Sequence, residues 1–125
     1  MKLDISIEIT KALIDLHSGK VKVSHNDTSP MNILMNLDER EPGYIDLKKL
    51  VLADFGISTV MKNSTYSITL KKVSGGNGNP GYIAPEVWKN NSYFHIKTDV
   101  YSFGRLINHL FFSPDNLVLE NNKDG

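Results

Sequence analysis

Apolar residues recur at helical spacing near the N-terminus of the chain. The positions concerned are Ile5, Ile9, Ala12, Leu13 and Leu16. The alternation of apolar and polar residues over positions 3–9 would also suit a strand. The three- and four-residue spacing continues beyond that stretch, however, so the pattern predicts a helix that ends at Ser18 and Gly19.

Short apolar runs follow in the middle of the chain. Residues 21–23 predict a short extended segment, and the runs at residues 33–35 and 50–53 predict two short strands. A polar loop that contains Pro42-Gly43 would join these two strands into a hairpin, which would bring Asp54 beside Asn32. Residues 57–83 are rich in Ser, Thr, Gly and Asn, which is a composition typical of a loop.

A second amphipathic helix is predicted near the C-terminus. Thr98 is a suitable N-cap residue for this helix. The apolar stripe that follows consists of Val100, Phe103, Ile107, Leu110 and Phe111. This stripe predicts a buried helix over residues 98–112. The tail over residues 116–125 is polar, and we expect it to fray.

The composition is that of one globular domain. Hydrophobic residues make up 40% and charged residues 22% of the 125 positions, and 14 basic residues balance 14 acidic ones. The balance argues against a nucleic-acid or anionic-membrane partner. The absence of cysteine excludes disulfides and thiolate metal sites. No apolar run could span a membrane and the first residues do not resemble a secretory signal, so we expect a cytoplasmic protein.

Four motifs follow one another along the chain. They are His25-Asn26-Asp27 with Asn32 five residues later, Asp54-Phe55-Gly56, Ala84-Pro85-Glu86, and Thr98-Asp99-Val100-Tyr101-Ser102-Phe103-Gly104. One three-residue match arises by chance, whereas four matches in this order are specific. They resemble the catalytic loop H-R-D-x-x-x-x-N, the D-F-G and the later motifs of the protein kinase family. The resemblance covers residues 5–112.

This resemblance implies an α+β, protein kinase-like fold that is mainly helical, with a short hairpin after the catalytic loop. In the family, a Gly-rich loop, a strand lysine and the glutamate that pairs with it precede that loop. Only 24 residues precede His25 here. We therefore expect residues 1–115 to be a partial domain, a truncated C-terminal lobe whose N-lobe belongs to the parent protein. Alone, the chain is predicted to be inactive and only marginally folded.

The resemblance also assigns roles to individual residues. Asp27 would accept a hydrogen bond from the substrate hydroxyl and orient it towards the γ-phosphate of ATP. Asn32 and Asp54 resemble the ligands of Mg²⁺, a cation that prefers oxygen donors. Leu34 corresponds to the apolar residue beneath the adenine ring. Each residue also has a plainer explanation: turn formation or capping for the three polar residues, and core packing for Leu34.

Three further residues have structural roles in the family. Phe55 would pack beneath the site near His25, and Asp99 would hold the catalytic loop through its backbone amides. Glu86 normally pairs with an arginine of a later helix. Because a buried carboxylate without its partner is costly, we expect Glu86 to be exposed or protonated.

Three positions depart from the family pattern. Ser29 stands where a lysine is usual, Asn79 where a threonine is usual, and Asn26 where an arginine usually docks a phosphorylated loop. The predicted function of the parent is magnesium-dependent transfer of the ATP γ-phosphate to Ser or Thr hydroxyls of a protein substrate. The departures leave two alternatives open, a pseudokinase or a truncated, non-catalytic interaction module.

Overall fold

The computed structural model describes residues 1–55, 59–61, 81–89 and 96–113. The elements in chain order are α1 (Lys2–Ser18), β1 (Lys22–Ser24), a 3-10 turn (Pro30–Asn32), β2 (Ile33–Glu41), β3 (Tyr44–Leu52), β4 (Thr59–Met61), α2 (Pro85–Lys89) and α3 (Ile96–Phe112). This mixture of helices and strands agrees with the predicted α+β class. The tail at residues 116–125 and most of the predicted loop over residues 57–83 lie outside the described residues.

The main core lies between the two long helices and strand β3. Its buried side chains are Ile5, Ile9, Leu13, Leu52, Leu106 and Leu110. The first three recur every fourth residue along α1, which confirms the predicted N-terminal helix and its end at Ser18. Full burial of one such aliphatic side chain contributes about 1.5–3 kcal/mol. This cluster therefore packs α1 against both α3 and β3.

Helix α3 differs from its prediction in its first residue and in its buried face. It begins at Ile96, so Thr98 lies inside the helix and is not its N-cap. Val100 and Phe111 of the predicted apolar stripe are 58% and 41% exposed. The buried residues are Thr98, Asp99, Ser102, Leu106 and Leu110. The prediction was wrong because the carboxylate of Asp99 makes hydrogen bonds inside the protein, which turns the polar side of the first turns inward.

Strands β2 and β3 form an antiparallel hairpin that is longer than predicted. Each strand has nine residues, and Pro42-Gly43 forms the turn between them. Gly43 has a φ of 85°, which suits the third position of a type II turn that follows proline. The polar stretch between the two predicted short strands is therefore strand as well. The prediction of a short hairpin was wrong.

Side chains of opposite charge favour the pairing of this polar stretch as two strands. Asp38 and Asp46 lie directly opposite each other in the ladder, where like charges repel. Arg40 lies 3.7 Å from Asp38 and 3.5 Å from Asp46. Lys48 lies 3.6 Å and 3.3 Å from the same two carboxylates. Each aspartate thus faces two cations. Exposed ion pairs contribute only about 0–1 kcal/mol each, so their main effect is to favour this register.

Strand β1 pairs antiparallel with β4, and Val23 lies opposite Val60. The predicted extended segment at residues 21–23 is confirmed, with a shift of one residue. Strand β4 was not predicted, because three residues have no periodicity and their partner is distant in sequence. In the described part of the chain, no helix combines the length and the apolar character that crossing a membrane requires.

Candidate active site

The carboxylate of Asp99 holds the backbone that leads into Asp27. Its Oδ2 accepts a hydrogen bond from the N–H of His25 and its Oδ1 accepts one from the N–H of Asn26, both at 2.8 Å. The Ser24 hydroxyl oxygen also lies 3.4 Å from Oδ2, but it is closer to Oδ1 of Asn26, to which it donates its hydrogen. A buried carboxylate is costly without hydrogen-bond donors, and here several donors converge on one fully buried group. The expectation that Asp99 holds the loop through backbone amides is confirmed.

His17 is a further donor to this carboxylate, and the sequence analysis did not single it out. Its Nε2 lies 2.8 Å from Oδ2 of Asp99, and its side chain is only 15% exposed. Because a carboxylate only accepts hydrogen bonds, Nε2 carries the hydrogen. A signal was present in the sequence, since His17 follows Leu13 by four residues and so continues the buried stripe of α1. Through Asp99, the end of α1 is joined to residues 25–32, the loop that resembles the catalytic loop of the family and is given that name below.

Asn26 turns the chain between β1 and Asp27. Its φ of 71° is in the left-handed region, which asparagine enters more readily than most residues with a side chain. Its side chain is buried, and its Oδ1 accepts a hydrogen bond from the Ser24 hydroxyl. The position at which the family usually has an arginine is therefore a buried turn in this chain.

The imidazole of His25 joins the catalytic loop to the strand end before Asp54. Its Nδ1 accepts a hydrogen bond from the N–H of Asp27 at 3.2 Å. The hydrogen of the ring is consequently on Nε2, which donates to the carbonyl oxygen of Ala53 at 2.8 Å. The Phe55 ring meets the imidazole edge-on, with centroids 4.8 Å apart. The expected packing of Phe55 near His25 is confirmed.

Asn32 is bonded to both neighbouring segments. Its Nδ2 donates to the carbonyl oxygen of Asp27 at 2.8 Å, which closes the loop between the two residues. Its own carbonyl oxygen accepts a hydrogen bond from the N–H of Ala53 at 2.8 Å. The hairpin register continues this pairing, with Ile33 opposite Leu52. Ala53, the residue before Asp54, is thus bonded directly to Asn32, and the predicted hairpin brings the two motifs together.

The donor chemistry of Asn32 and Asp54 fits a magnesium ion. The Asn32 group that faces the Asp27 carbonyl must be the NH₂, because a carbonyl oxygen only accepts. The amide oxygen, the only atom of this side chain that could coordinate a metal, is then on the other side of the side chain. Asp54 is exposed and has a φ of 57°. Gly56 lies outside the described residues. Among those that are described, no group of three or more His, Cys, Asp or Glu side chains could hold a metal.

Leu34 lies on the outer face of the hairpin and not in the core. Its side chain is 59% exposed, and Val51, which is opposite it in the ladder, is 41% exposed. Core packing, the plainer explanation for this leucine, is therefore wrong. Leu34 and Val51 therefore form an exposed apolar pair near Asn32.

The two residues after Asp27 point into the protein. Ser29, at the position where the family usually has a lysine, is 1% exposed. Thr28 is fully buried, and within the described part of the chain its hydroxyl has no hydrogen-bond partner. A buried hydroxyl without a partner costs about 1–3 kcal/mol. Asn79, another position that departs from the family pattern, lies outside the described residues.

Helix α3 also fixes the segment that contains Ala84-Pro85-Glu86. The Ser102 hydroxyl donates to the carbonyl oxygen of Tyr82 at 2.5 Å, and Nε of Arg105 donates to that of Gly81 at 3.1 Å. Helix α2 begins at Pro85 and buries Val87. Glu86 is exposed, which is one of the two outcomes expected for it.

Comparison with known proteins agrees with this geometry. Residues 3–124 match the family model described as protein kinase domain. A G-type lectin S-receptor-like serine/threonine-protein kinase of Arabidopsis thaliana is 32% identical, over 99% of this chain and 14% of its own length. A rust resistance kinase of Triticum aestivum is 33% identical over 84% of this chain and 15% of its own length. The dual specificity protein kinase splA of Dictyostelium discoideum is 30% identical over 92% and 5%, respectively.

The chain therefore spans about a seventh or less of the length of these relatives. The family match nevertheless includes nearly every residue of this chain, and it contains all four motifs that the sequence analysis identified. The chain belongs to the protein kinase domain family.

Proposed function

We propose that this chain provides the catalytic loop and the metal-binding residues of a serine/threonine protein kinase, which transfers the γ-phosphate of ATP to a hydroxyl of a protein substrate. Phosphoryl transfer asks the protein mainly for positioning and for neutralisation of phosphate charge. The chemistry of these residues suits both tasks. Completion of the nucleotide site would require the N-lobe that the family places before the catalytic loop.

In this proposal Asp27 is the residue that contacts the substrate hydroxyl. Its backbone N–H is bonded to the His25 ring and its carbonyl oxygen to the Asn32 amide. Both backbone groups are therefore occupied, and the carboxylate is left to accept the hydroxyl hydrogen. A general base of this kind contributes about 10²–10⁴ to the rate.

Asn32 and Asp54 would hold Mg²⁺ through one amide oxygen and one carboxylate. Mg²⁺ usually has few protein ligands and completes its octahedron with water and substrate phosphates. Bound there, it would neutralise the charge of the β- and γ-phosphates. The exposed pair of Leu34 and Val51 would form the apolar floor for the adenine ring.

The observation that carries this proposal is the set of hydrogen bonds to Asp99. A fully buried carboxylate with donors from the His25 and Asn26 amides and from His17 fixes the backbone immediately before Asp27. Fixing the catalytic group before the substrate arrives is the protein's main contribution to this class of reaction.

A non-catalytic role is the second candidate, and one observation favours it. Ser29 is uncharged and buried at the position where the family usually has a lysine that touches the γ-phosphate. A pseudokinase would keep the fold and the loop geometry without phosphate transfer. Intact Asp27, Asn32 and Asp54 favour the catalytic candidate.

Binding of nucleotide tests the metal assignment. In a kinase domain completed by an N-lobe, calorimetry should show Mg-ATP binding that is weakened at least several-fold by Asp54→Asn. The exposed Asp15 on α1 supplies the control, because Asp15→Asn also removes one carboxylate and should leave the affinity unchanged. Equal affinity in the wild type and Asp54→Asn would refute the metal assignment.

A further inference from the structure

A pocket of about 350 Å³ opens beside the C-terminal half of α3, and none of its described lining residues belongs to the catalytic loop. Its lining includes the side chains of Tyr82, Arg105, Asn108, His109 and Phe112. Of the described residues that line it, none is acidic, and Arg105 contributes a full positive charge. The role proposed above for the active site makes no use of this pocket.

Arg105 is held in place at the edge of the pocket. Its Nε donates to the carbonyl oxygen of Gly81 at 3.1 Å, and this bond engages one of the five N–H groups of a guanidinium. Its charge also acts on the neighbouring phenol. Burial raises the pKa of the Tyr82 hydroxyl above its ordinary value, and the charge of Arg105 opposes that shift because it favours the phenolate. The pocket thus combines a fixed cation with aromatic surface.

The end of α3 contributes a charge of the opposite sign. A helix C-terminus acts as about half a negative charge, which is smaller than the full charge of Arg105. The side chains of Asn108 and His109 add N–H donors. The net charge of the pocket is therefore positive, which favours an anionic ligand. An apolar stem of that ligand could lie against Phe112 and Tyr82.

The position of the pocket along α3 sets its distance from the catalytic loop. Asp99 contacts the loop, and Arg105 and His109 follow it by six and ten residues in the same helix. At 1.5 Å per residue, the pocket lies about 9–15 Å further along the helix axis. A substrate peptide that runs extended along α3 from the level of Asp99 advances about 3.3 Å per residue and would cover this distance in about three to five residues.

We propose that this pocket binds the carboxylate of a glutamate or aspartate in the peptide substrate, about three to five residues from the hydroxyl that receives the phosphate. The proposal rests on the proposed kinase function and adds a substrate preference to it. The carboxylate would pair with Arg105, and Asn108 or His109 would donate a second hydrogen bond.

Peptide binding without ATP tests this preference separately from phosphate transfer. Fluorescent peptides with one serine in a neutral background would carry Glu, Gln or Lys at each of the five positions on either side of the serine. Binding to the full-length protein would be measured by anisotropy. An ion pair at an exposed site corresponds to roughly 2- to 5-fold in affinity. We expect that advantage for Glu over Gln, confined to positions about three to five residues from the serine.

Protein variants locate the effect. Arg105→Gln should abolish the preference for Glu, whereas Arg105→Lys, which keeps the charge, should retain part of it. Arg40→Gln is the matched control, because Arg40 is the other arginine of the chain and lies on the hairpin. It should leave the preference unchanged.

Three results of the binding measurement would overturn the proposal: equal binding of the Glu and Gln peptides, preference for Lys, or no binding of any peptide. The comparison of peptides on the wild-type protein needs no variant, so misfolding of Arg105→Gln cannot obscure it. Phosphate transfer to peptides without any acidic preference would also contradict this inference and would leave the proposed kinase function intact.

Discussion

Replacement of Asp99 by asparagine should remove much of the stability of this protein. An asparagine side chain has one acceptor oxygen and one NH₂ group. With its oxygen at the Oδ2 position, the NH₂ faces the N–H of Asn26; in the opposite orientation it faces the N–H of His25 and the ring of His17. In either orientation, the NH₂ group of the asparagine faces another N–H donor in a fully buried environment, and neither donor has an acceptor there.

The magnitude follows from these contacts. A hydrogen bond to a charged group contributes about 1.5–3 kcal/mol, and a buried donor left without a partner costs about 1–3 kcal/mol more. Asp99→Asn should therefore lower the free energy of unfolding by about 3–5 kcal/mol, which is also the usual cost of breaking a buried charged pair. Domains have a total stability of only about 5–15 kcal/mol. The variant should be close to unfolding in water.

In a kinase domain completed by an N-lobe, urea denaturation followed by circular dichroism measures this loss. The midpoint of the Asp99→Asn variant should fall strongly, or its cooperative transition should disappear. Asp15→Asn is the matched control on the exposed side of α1, and we expect a change within about 0.5 kcal/mol. If the two variants were equally stable, the account of Asp99 as the residue that holds the loop would be wrong.

Three other substitutions test single contacts by the same denaturation measurement. His17→Leu should cost about 1–3 kcal/mol because it removes a donor to Asp99, and His17→Gln, which keeps an N–H, should cost less; equal losses would contradict the contact. Thr28→Val should raise stability by about 1 kcal/mol, since it removes a buried hydroxyl without a described partner, and a loss would indicate a hidden partner. Gly43→Ala should cost about 1–2 kcal/mol through its φ of 85° alone, because an added Cβ meets nothing within 4 Å; no loss would argue against the type II turn.

The local pattern was sufficient to predict α1 and the meeting of two motifs. Ile5, Ile9 and Leu13 recur every fourth residue, and this spacing alone predicted a helix that ends at Ser18. The apolar runs on either side of Pro42-Gly43 predicted a hairpin that brings Asp54 beside Asn32, and in the structure the neighbouring Ala53 is bonded to Asn32. Both features depend on interactions between residues near each other in sequence.

Features that depend on distant contacts were missed. The buried face of α3 contains Asp99 because its partners belong to the catalytic loop, more than seventy residues earlier. Hydrophobic periodicity favours the neighbouring stripe, which includes Val100. His17 was overlooked for the same reason, since its partner is 82 residues away. In the hairpin, the cations Arg40 and Lys48 make a polar sequence compatible with strand pairing. A prediction that considers only apolar residues misses this effect.

The central claim is that Asp27 is the group that directs the substrate hydroxyl towards ATP. In a kinase domain completed by an N-lobe, phosphate transfer to a serine peptide should fall by about 10²–10⁴ in Asp27→Asn, while Mg-ATP affinity stays nearly unchanged because this residue faces the hydroxyl and not the nucleotide. Asp15→Asn should retain full activity. Undiminished phosphate transfer in Asp27→Asn would contradict the account, and a wild type without any transfer would favour the non-catalytic candidate.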